Sequence, residues 1–78
     1  MWVYQIVRQR SNPDNLDVTI DYYMGEEGWA PNFLAFRYDP TNKEQLQNAL
    51  DVLHELINNN EDHYTRFFPV KVSLENLS

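Results

Sequence analysis

The residues best suited to metal chemistry are Asp51, His54 and Glu55, which lie within five consecutive positions. On a helix this spacing brings the three side chains to one surface, where carboxylate oxygens and an imidazole nitrogen can ligate a divalent ion. Metal sites usually need three or four convergent ligands, and this cluster lacks the paired histidines of a helical zinc protease motif. A weak metal-dependent activity at the helix surface is one hypothesis, and a hydrated polar face is the other.

Other catalytic arrangements have little support in the chain. It contains no cysteine nucleophile, and its three serines do not suggest a hydrolytic triad. Its two glycines are too few for a phosphate-binding loop. The adjacent carboxylates of Glu26 and Glu27 fall in a predicted exposed loop, where nothing would raise a pKa for acid–base catalysis. The sequence therefore predicts a binding protein and not an enzyme, without catalytic residues, a bound metal or a cofactor.

Acidic residues form two groups that are suited to a basic partner. In the first group, Asp17 and Asp21 share the predicted outer face of a strand, and Glu26 and Glu27 follow in the next loop. The second group lies on the predicted helix and the loop after it, and comprises Glu44, Asp51, Glu55, Glu61 and Asp62. Either row can imitate a nucleic-acid backbone and occupy a basic groove on another protein, using the same electrostatic attraction.

One amphipathic helix is predicted to carry the second acidic group. Thr41 and Glu44 have the spacing of a capping box, in which each side chain bonds to the other residue's backbone. The asparagines at positions 58–60 are predicted to end the helix, because Asn tolerates the left-handed conformation. Apolar residues recur at three- and four-residue steps between these limits: Leu46, Ala49, Leu50, Leu53, Leu56 and Ile57.

Four strands are predicted from alternating or apolar segments: residues 1–9, 16–24, 33–38 and 64–74. The second strand is expected to direct Leu16, Val18, Ile20 and Tyr22 toward the core. Pro69 cannot donate a ladder hydrogen bond, which favours an edge position or a bulge for the last strand. The order β-β-β-α-β predicts an α+β fold with residues 1–78 as a single domain. Its architecture is a two-layer sandwich, in which a mainly antiparallel sheet of about four strands carries the helix on one face.

The first and third predicted strands carry apolar residues on both faces, so a single helix cannot cover them all. The candidate dimer face comprises Val3, Val7, Phe33 and Phe67. Exposed apolar patches larger than roughly a few hundred Å² usually mark an interface. In the alternative, the loop from Glu26 to Pro31 folds back and Trp29 covers this face. A structural homodimer with no inhibitory role is therefore an alternative function.

Charge and composition narrow the choice of partner. Twelve acidic and six basic side chains give the chain a net charge of −6, which disfavours direct binding to nucleic acid and favours a basic protein. The absence of cysteine indicates a cytoplasmic location. No apolar run approaches the ~20 residues of a membrane-spanning helix, so the sequence predicts no membrane association.

These features lead to one main hypothesis, a small acidic cytosolic interaction protein that acts by binding. Short phage-encoded inhibitors of host defence or host nucleic-acid enzymes are analogous in type, and inhibition of a basic, nucleic-acid-binding partner is the specific form of the hypothesis. Trp and Tyr are frequent binding hot spots, so the loop around Trp29 is the first choice for contact. The predicted partner-binding residues are Asp17, Asp21, Tyr23, Glu26, Glu27 and Trp29.

Overall fold

The computed structural model describes residues 1–76, in which one antiparallel four-stranded sheet carries one α-helix. In chain order the elements are β1 (Trp2–Ser11), β2 (Val18–Tyr23), β3 (Trp29–Ala30), α1 (Lys43–Asn58) and β4 (Thr65–Ser73). The strands lie in the order β3-β2-β1-β4, so β1 to β3 form a meander and β4 returns beside β1 after the helix. The predicted α+β fold and its β-β-β-α-β order are confirmed.

The helix forms where the apolar spacing predicts it, but its cap differs from the prediction. Asn42 is the N-cap, and its Oδ1 accepts hydrogen bonds from the backbone N–H groups of Glu44 at 3.0 Å and Gln45 at 3.2 Å. The Thr41 hydroxyl instead donates to the carboxylate of Asp39 at 2.7 Å. The predicted capping box is therefore wrong, because a carboxylate two residues before Thr41 binds its side chain.

Asn42→Ala is expected to lower the free energy of unfolding by about 1 kcal/mol, because two backbone N–H groups lose their acceptor. Thr41→Ala should change it by no more than about 0.5 kcal/mol, since that side chain is exposed and does not cap the helix. Urea unfolding of both variants beside the wild type measures the difference. An equal or larger loss in Thr41→Ala would contradict the assignment of the cap.

The third strand is not at residues 33–38, where the sequence predicts it. The structure uses β3, directly before Pro31, and places a 3-10 turn at Asn32–Leu34. The remainder of the predicted strand returns to β1, where Tyr38 and Tyr4 exchange backbone hydrogen bonds of 2.9 and 2.8 Å. This return is possible because β2 pairs only with the second half of β1 and leaves the edge of the first half open.

The two faces of the sheet carry different side chains. Ile6, only 1% exposed, packs with Tyr38 and Ala49 on the side of α1, which we call the helix face. Arg8 lies two residues after Ile6, so it is also on the helix face. Its pairing partner Asp21 shares this face, and by alternation so do Thr19 and Tyr23. The opposite side is called the open face. It carries Val18, Ile20 and Tyr22, so the predicted inward face of β2 turns away from the helix.

Strand β4 is an edge strand, and Pro69 lies at its middle. Pro69 is paired with Ile6 of β1. Tyr4, two residues before Ile6, directs its own N–H and C=O to Tyr38 on the far side of β1. Ile6 has the same backbone orientation as Tyr4, so Ile6 and Pro69 form a non-hydrogen-bonded pair. The backbone nitrogen of Pro69 therefore faces the free edge, where the sheet requires no hydrogen bond from it. The structure thus explains how the sheet accommodates this proline without a bulge.

Candidate functional site

An aromatic cluster of Tyr23, Trp29 and Phe67 occupies the helix face near the C-terminal end of α1. The indole of Trp29 lies 5.6 Å from the Tyr23 ring and 5.8 Å from the Phe67 ring, measured between centroids. The guanidinium carbon of Arg8 lies 4.4 Å from the Trp29 ring centroid, within the range of a cation–π contact. Trp29 therefore reaches from the edge strand β3 across the sheet, and is half-buried by contacts within the chain.

Asp21 lies beside this cluster and binds two arginines. Its Oδ2 accepts hydrogen bonds from Arg8 and Arg10, each at 2.9 Å. The hydrogen bond from Arg8 and the positive charges of both arginines hold the pKa of the Asp21 carboxyl below its ordinary value, although partial burial opposes them. The carboxylate is ionised at neutral pH, but its charge is compensated within the fold.

An open groove borders the aromatic cluster, between the C-terminal half of α1 and the sheet. Its cavity volume is about 720 Å³. Tyr23 and Phe67 supply aromatic surface, and Glu55, Glu61 and Asp62 supply carboxylates. Its lining residues are Tyr23, Val52, Glu55, Leu56, Asn59, Asn60, Glu61, Asp62 and Phe67. None of these described lining residues is basic. We call this cavity the acidic groove.

The loop that forms one wall of the acidic groove is held by its own side chains. Asn60 donates from Nδ2 to the carbonyl of Thr65 at 3.0 Å and accepts from the N–H of Asp62 at 3.0 Å. Asp62 in turn accepts from the N–H of Tyr64 and the hydroxyl of Thr65, both at 2.9 Å. The Tyr64 and Thr65 hydrogen bonds lower the pKa of Asp62. The groove consequently has a fixed, ionised carboxylate at this wall.

The predicted partner-binding residues do not form one surface. Asp17 lies before β2 in an exposed turn, and Asp21 is paired with arginines, so the first acidic row is interrupted. Glu26 and Glu27 are exposed on the 3-10 turn Gly25–Glu27. Of the six predicted residues, only Tyr23 lines the acidic groove directly.

The four residues of the candidate dimer face are also separated. Val3 and Val7 are buried within the chain, at 7% and 1% exposure. Phe33 is exposed on the 3-10 turn after β3, whereas Phe67 packs against Trp29 on the helix face. Trp29 folds back as the alternative proposed, but it covers the helix face and not the face that carries Val3 and Val7. A single apolar patch of these four residues is therefore not present.

The metal hypothesis gains no support from the arrangement of the helix. Asp51, His54 and Glu55 are all exposed on α1, and Asp51 accepts a hydrogen bond from Gln47 Nε2 at 2.8 Å. Within residues 1–76, no group of three His, Asp or Glu side chains is arranged to hold a metal ion.

The groove-lining carboxylates belong to the second acidic group, which the sequence identifies but does not select as the contact site. Glu61 and Asp62 follow the asparagines that end α1, and this position predicts a loop at the end of the helix. The missing information is the register of β4, which brings Phe67 opposite Arg8 and hence beside the aromatic cluster. Phe67 thereby lines the acidic groove on the helix face, whereas Val3 and Val7 of the candidate dimer face lie on the opposite side of the sheet.

No protein-family model matches the chain, and comparisons with curated proteins and with solved structures found no match. In the described part of the chain, no helix has the length and apolar character needed to span a membrane.

Proposed function

We propose that this protein acts by binding a basic surface of another protein, and that a lysine or arginine side chain of the partner enters the acidic groove. The supporting observation is the combination of aromatic walls with carboxylates from two separate elements. Tyr23 and Phe67 can contact the aliphatic stem or the cationic head, while Glu55 and Glu61 attract its charge. The same chemistry already operates inside the fold, where Arg8 lies between Trp29 and Asp21.

The proposed specificity follows from the shape and chemistry of the groove. A cation over an aromatic face contributes about 0.5–2 kcal/mol, depending on how fully it is desolvated. Exposed carboxylates add little affinity individually, but they raise the association rate and disfavour acidic partners. A flexible basic segment with one anchored side chain is therefore the favoured ligand, and its binding should weaken as salt screens the charges.

Nucleic-acid mimicry and inhibition form a narrower version of this proposal. The strand row loses support because the charge of Asp21 is neutralised by arginines. The helix row retains exposed carboxylates at Glu44, Asp51 and Glu55, and it leads directly to the acidic groove. A basic, nucleic-acid-binding protein is accordingly the partner class we propose, with a cytosolic location supported by the absence of cysteine.

The experiment uses a hexaarginine peptide as the probe and records ¹⁵N–¹H spectra during titration. We expect shifts to concentrate at the groove, with a dissociation constant that rises with salt. Glu55→Gln combined with Glu61→Gln should weaken binding at least about fivefold, since two lining carboxylates are lost. The matched control is Glu26→Gln with Glu27→Gln, which removes the same charge from an exposed turn outside the groove.

Equal weakening in the two double variants would overturn the assignment of the groove, because binding would then depend only on net charge. Chemical-shift changes spread evenly over the acidic surface would also overturn the assignment of the groove. Binding that is unaffected by salt would contradict the electrostatic basis of the proposal. A larger loss in the Glu26 and Glu27 variant would move the site to the Gly25–Glu27 turn.

A further inference from the structure

The open face of the sheet is apolar, and its side chains on β2 and β4 are exposed or half-buried. At its centre, however, Gln5 and Val7 of β1 are at most 1% exposed, and Gln5 donates a hydrogen bond to the carbonyl of Asn32 in the turn after β3. Val18 and Ile20 are 54% and 53% exposed, although both are β-branched residues within a strand. On β4, the half-buried side chains of Phe68, Val70 and Val72 lie on the same face, since they pair with Val7, Gln5 and Val3. Surfaces of this kind on a sheet are normally packed against another layer.

The distribution of charge distinguishes this face from the rest of the molecule. The strand residues that alternate onto the open face include no aspartate and no glutamate, although the chain has twelve acidic residues. Its one charged strand residue is Arg66, paired with Gln9 toward one end of the sheet. Two copies of this acidic chain can therefore meet here without bringing carboxylates together, whereas contact through the helix would oppose Glu44, Asp51 and Glu55.

The free edge of the sheet is a poor alternative route to self-association. Pro69 offers no N–H to an added strand at the middle of β4, as the pairing with Ile6 shows. The other edge consists of β3, which is only two residues long, and of residues 18–21 of β2, which pair with β1 but with no strand on their other side in the described chain. Both edges therefore offer only short or interrupted segments for strand pairing, which disfavours association through them.

The size of the open face fits a weak dimer. Three strands at the usual spacing are about 14 Å wide and up to about 30 Å long, which gives a projected area of roughly 400 Å² per copy. The part over Gln5 and Val7 is already covered within the chain, whereas Phe33 and Leu34 of the turn after β3 add exposed apolar surface. Two copies would bury at most about 1,000 Å² in total, which is the size of a weak interface.

We infer that the open face binds a second copy of this chain, forming a symmetric dimer through the exposed side chains of β2 and β4 and through the turn at Asn32–Leu34. Ile20, Phe68 and Val70 lie at the centre of the contact, and Arg66 lies at its rim. The small core gives this association a physical benefit, because Ile6 and Val7 are the only apolar residues below 2% exposure in the described chain. This inference does not depend on the acidic groove, which lies on the opposite side of the sheet.

The test is the mass in solution from about 10 μM to about 1 mM, measured by sedimentation equilibrium over a concentration range suited to weak interfaces. The wild type should approach twice the chain mass of 9.3 kDa. Ile20→Glu should raise the dissociation constant of the dimer at least about tenfold, because each copy buries a carboxylate in the seam. The matched control is Ile57→Glu, at a 49% exposed position on α1, which should leave the dimer intact.

The effect of salt distinguishes the dimer from binding at the acidic groove, which added salt should weaken. Added salt should maintain or strengthen the dimer, since it screens the repulsion between two chains of charge −6 while the seam is apolar. If Ile20→Glu does not fold, the double variant Val18→Thr with Ile20→Thr keeps β-branched side chains and should still weaken the dimer. Dilution of the wild type should shift amide signals of β2 and β4.

A chain that remains monomeric at about 1 mM would overturn the inference. So would a dimer that Ile57→Glu disrupts as strongly as Ile20→Glu, or dilution shifts confined to α1. A dimer that dissociates as salt is added would contradict the apolar seam. Failure of the arginine peptide to bind would leave this inference unaffected, because the two surfaces are separate.

Discussion

Gln5→Glu is expected to unfold the protein near neutral pH while leaving it folded in mild acid. The Gln5 side chain is fully buried, and its Nε2 donates a hydrogen bond to the carbonyl of Asn32 at 2.7 Å. Its Oε1 has no hydrogen-bond partner among the described residues. A carboxylate here would face a carbonyl without compensation, at a cost of about 3–5 kcal/mol. Small domains have only about 5–15 kcal/mol of stability, so this loss approaches the whole.

The pH dependence follows from the direction of the pKa shift. Burial beside a carbonyl raises the pKa of the introduced carboxyl above its unfolded value of about 4.3. The protonated form can donate to Asn32, so stability is retained below the unfolded pKa and is lost as pH rises through the folded value. Thermal unfolding at about pH 4 and about pH 7 measures this, relative to the wild type at each pH.

Gln9→Glu is the matched control for this prediction. Gln9 lies on the same face of β1 but is partly exposed, so its variant should change stability by less than about 1 kcal/mol at either pH. A Gln5→Glu protein as stable as the wild type at neutral pH would show that the site opens to water. The described burial of Gln5 would then be incorrect.

Trp29→Ala should give the second large loss, about 2–3 kcal/mol of unfolding free energy. A fully buried Trp costs about 3–5 kcal/mol on truncation, and Trp29 is only half-buried. The change removes its contacts with Tyr23 and Phe67 and uncovers the guanidinium of Arg8. It also removes side-chain contacts from β3, a strand of only two residues.

Trp2→Ala offers the same substitution at a position that is 57% exposed. It should alter stability by no more than about 0.5 kcal/mol. Urea unfolding gives the free energies, and near-UV circular dichroism reports whether the aromatic cluster loses its fixed arrangement. Comparable losses from both variants would mean that Trp29 does not hold the sheet and the loop together.

The helix and the chain order β-β-β-α-β were predictable because each depends on local pattern. Apolar residues from Leu46 to Leu56 repeat with the helical period, and the asparagine run marks the end of the helix. The predicted left-handed conformation is wrong, because Asn59 ends the helix in the right-handed region with φ −92° and ψ −1°. The antiparallel meander follows from short connections between successive strands. These features need no knowledge of distant contacts.

The orientation of β2 could not be predicted from its own alternation. The two-residue alternation of side chains separates the two faces of a strand but does not indicate which face packs against the helix. Here Arg8 and Arg10 of the neighbouring strand neutralise Asp21, so a charged residue is tolerated on the helix face. The more apolar side, with Ile20, is left open.

The candidate site was only partly predictable for a related reason. Tyr23 and the acidic residues after α1 stand out by type, but their proximity depends on the pairing of β4 with β1. The contacts of Trp29 with Arg8 and Phe67 could not be predicted, because loop sequence does not reveal contacts across a sheet. The missed third strand has a similar origin, since the pairing of Tyr38 with Tyr4 requires an edge that β2 happens to leave free.

Pro69 has a consequence for fibril growth. A cross-β filament adds identical strands to an exposed edge, with every main-chain donor and acceptor satisfied by the next molecule. On β4 the outward N–H groups belong to alternate residues, so the proline leaves a gap of about 13 Å between the donors of Phe67 and Lys71. An incoming strand would bury an unsatisfied carbonyl at this gap in every layer. The aromatic and β-branched segment from Phe67 to Val72 is therefore protected from polymerisation by one residue at its centre.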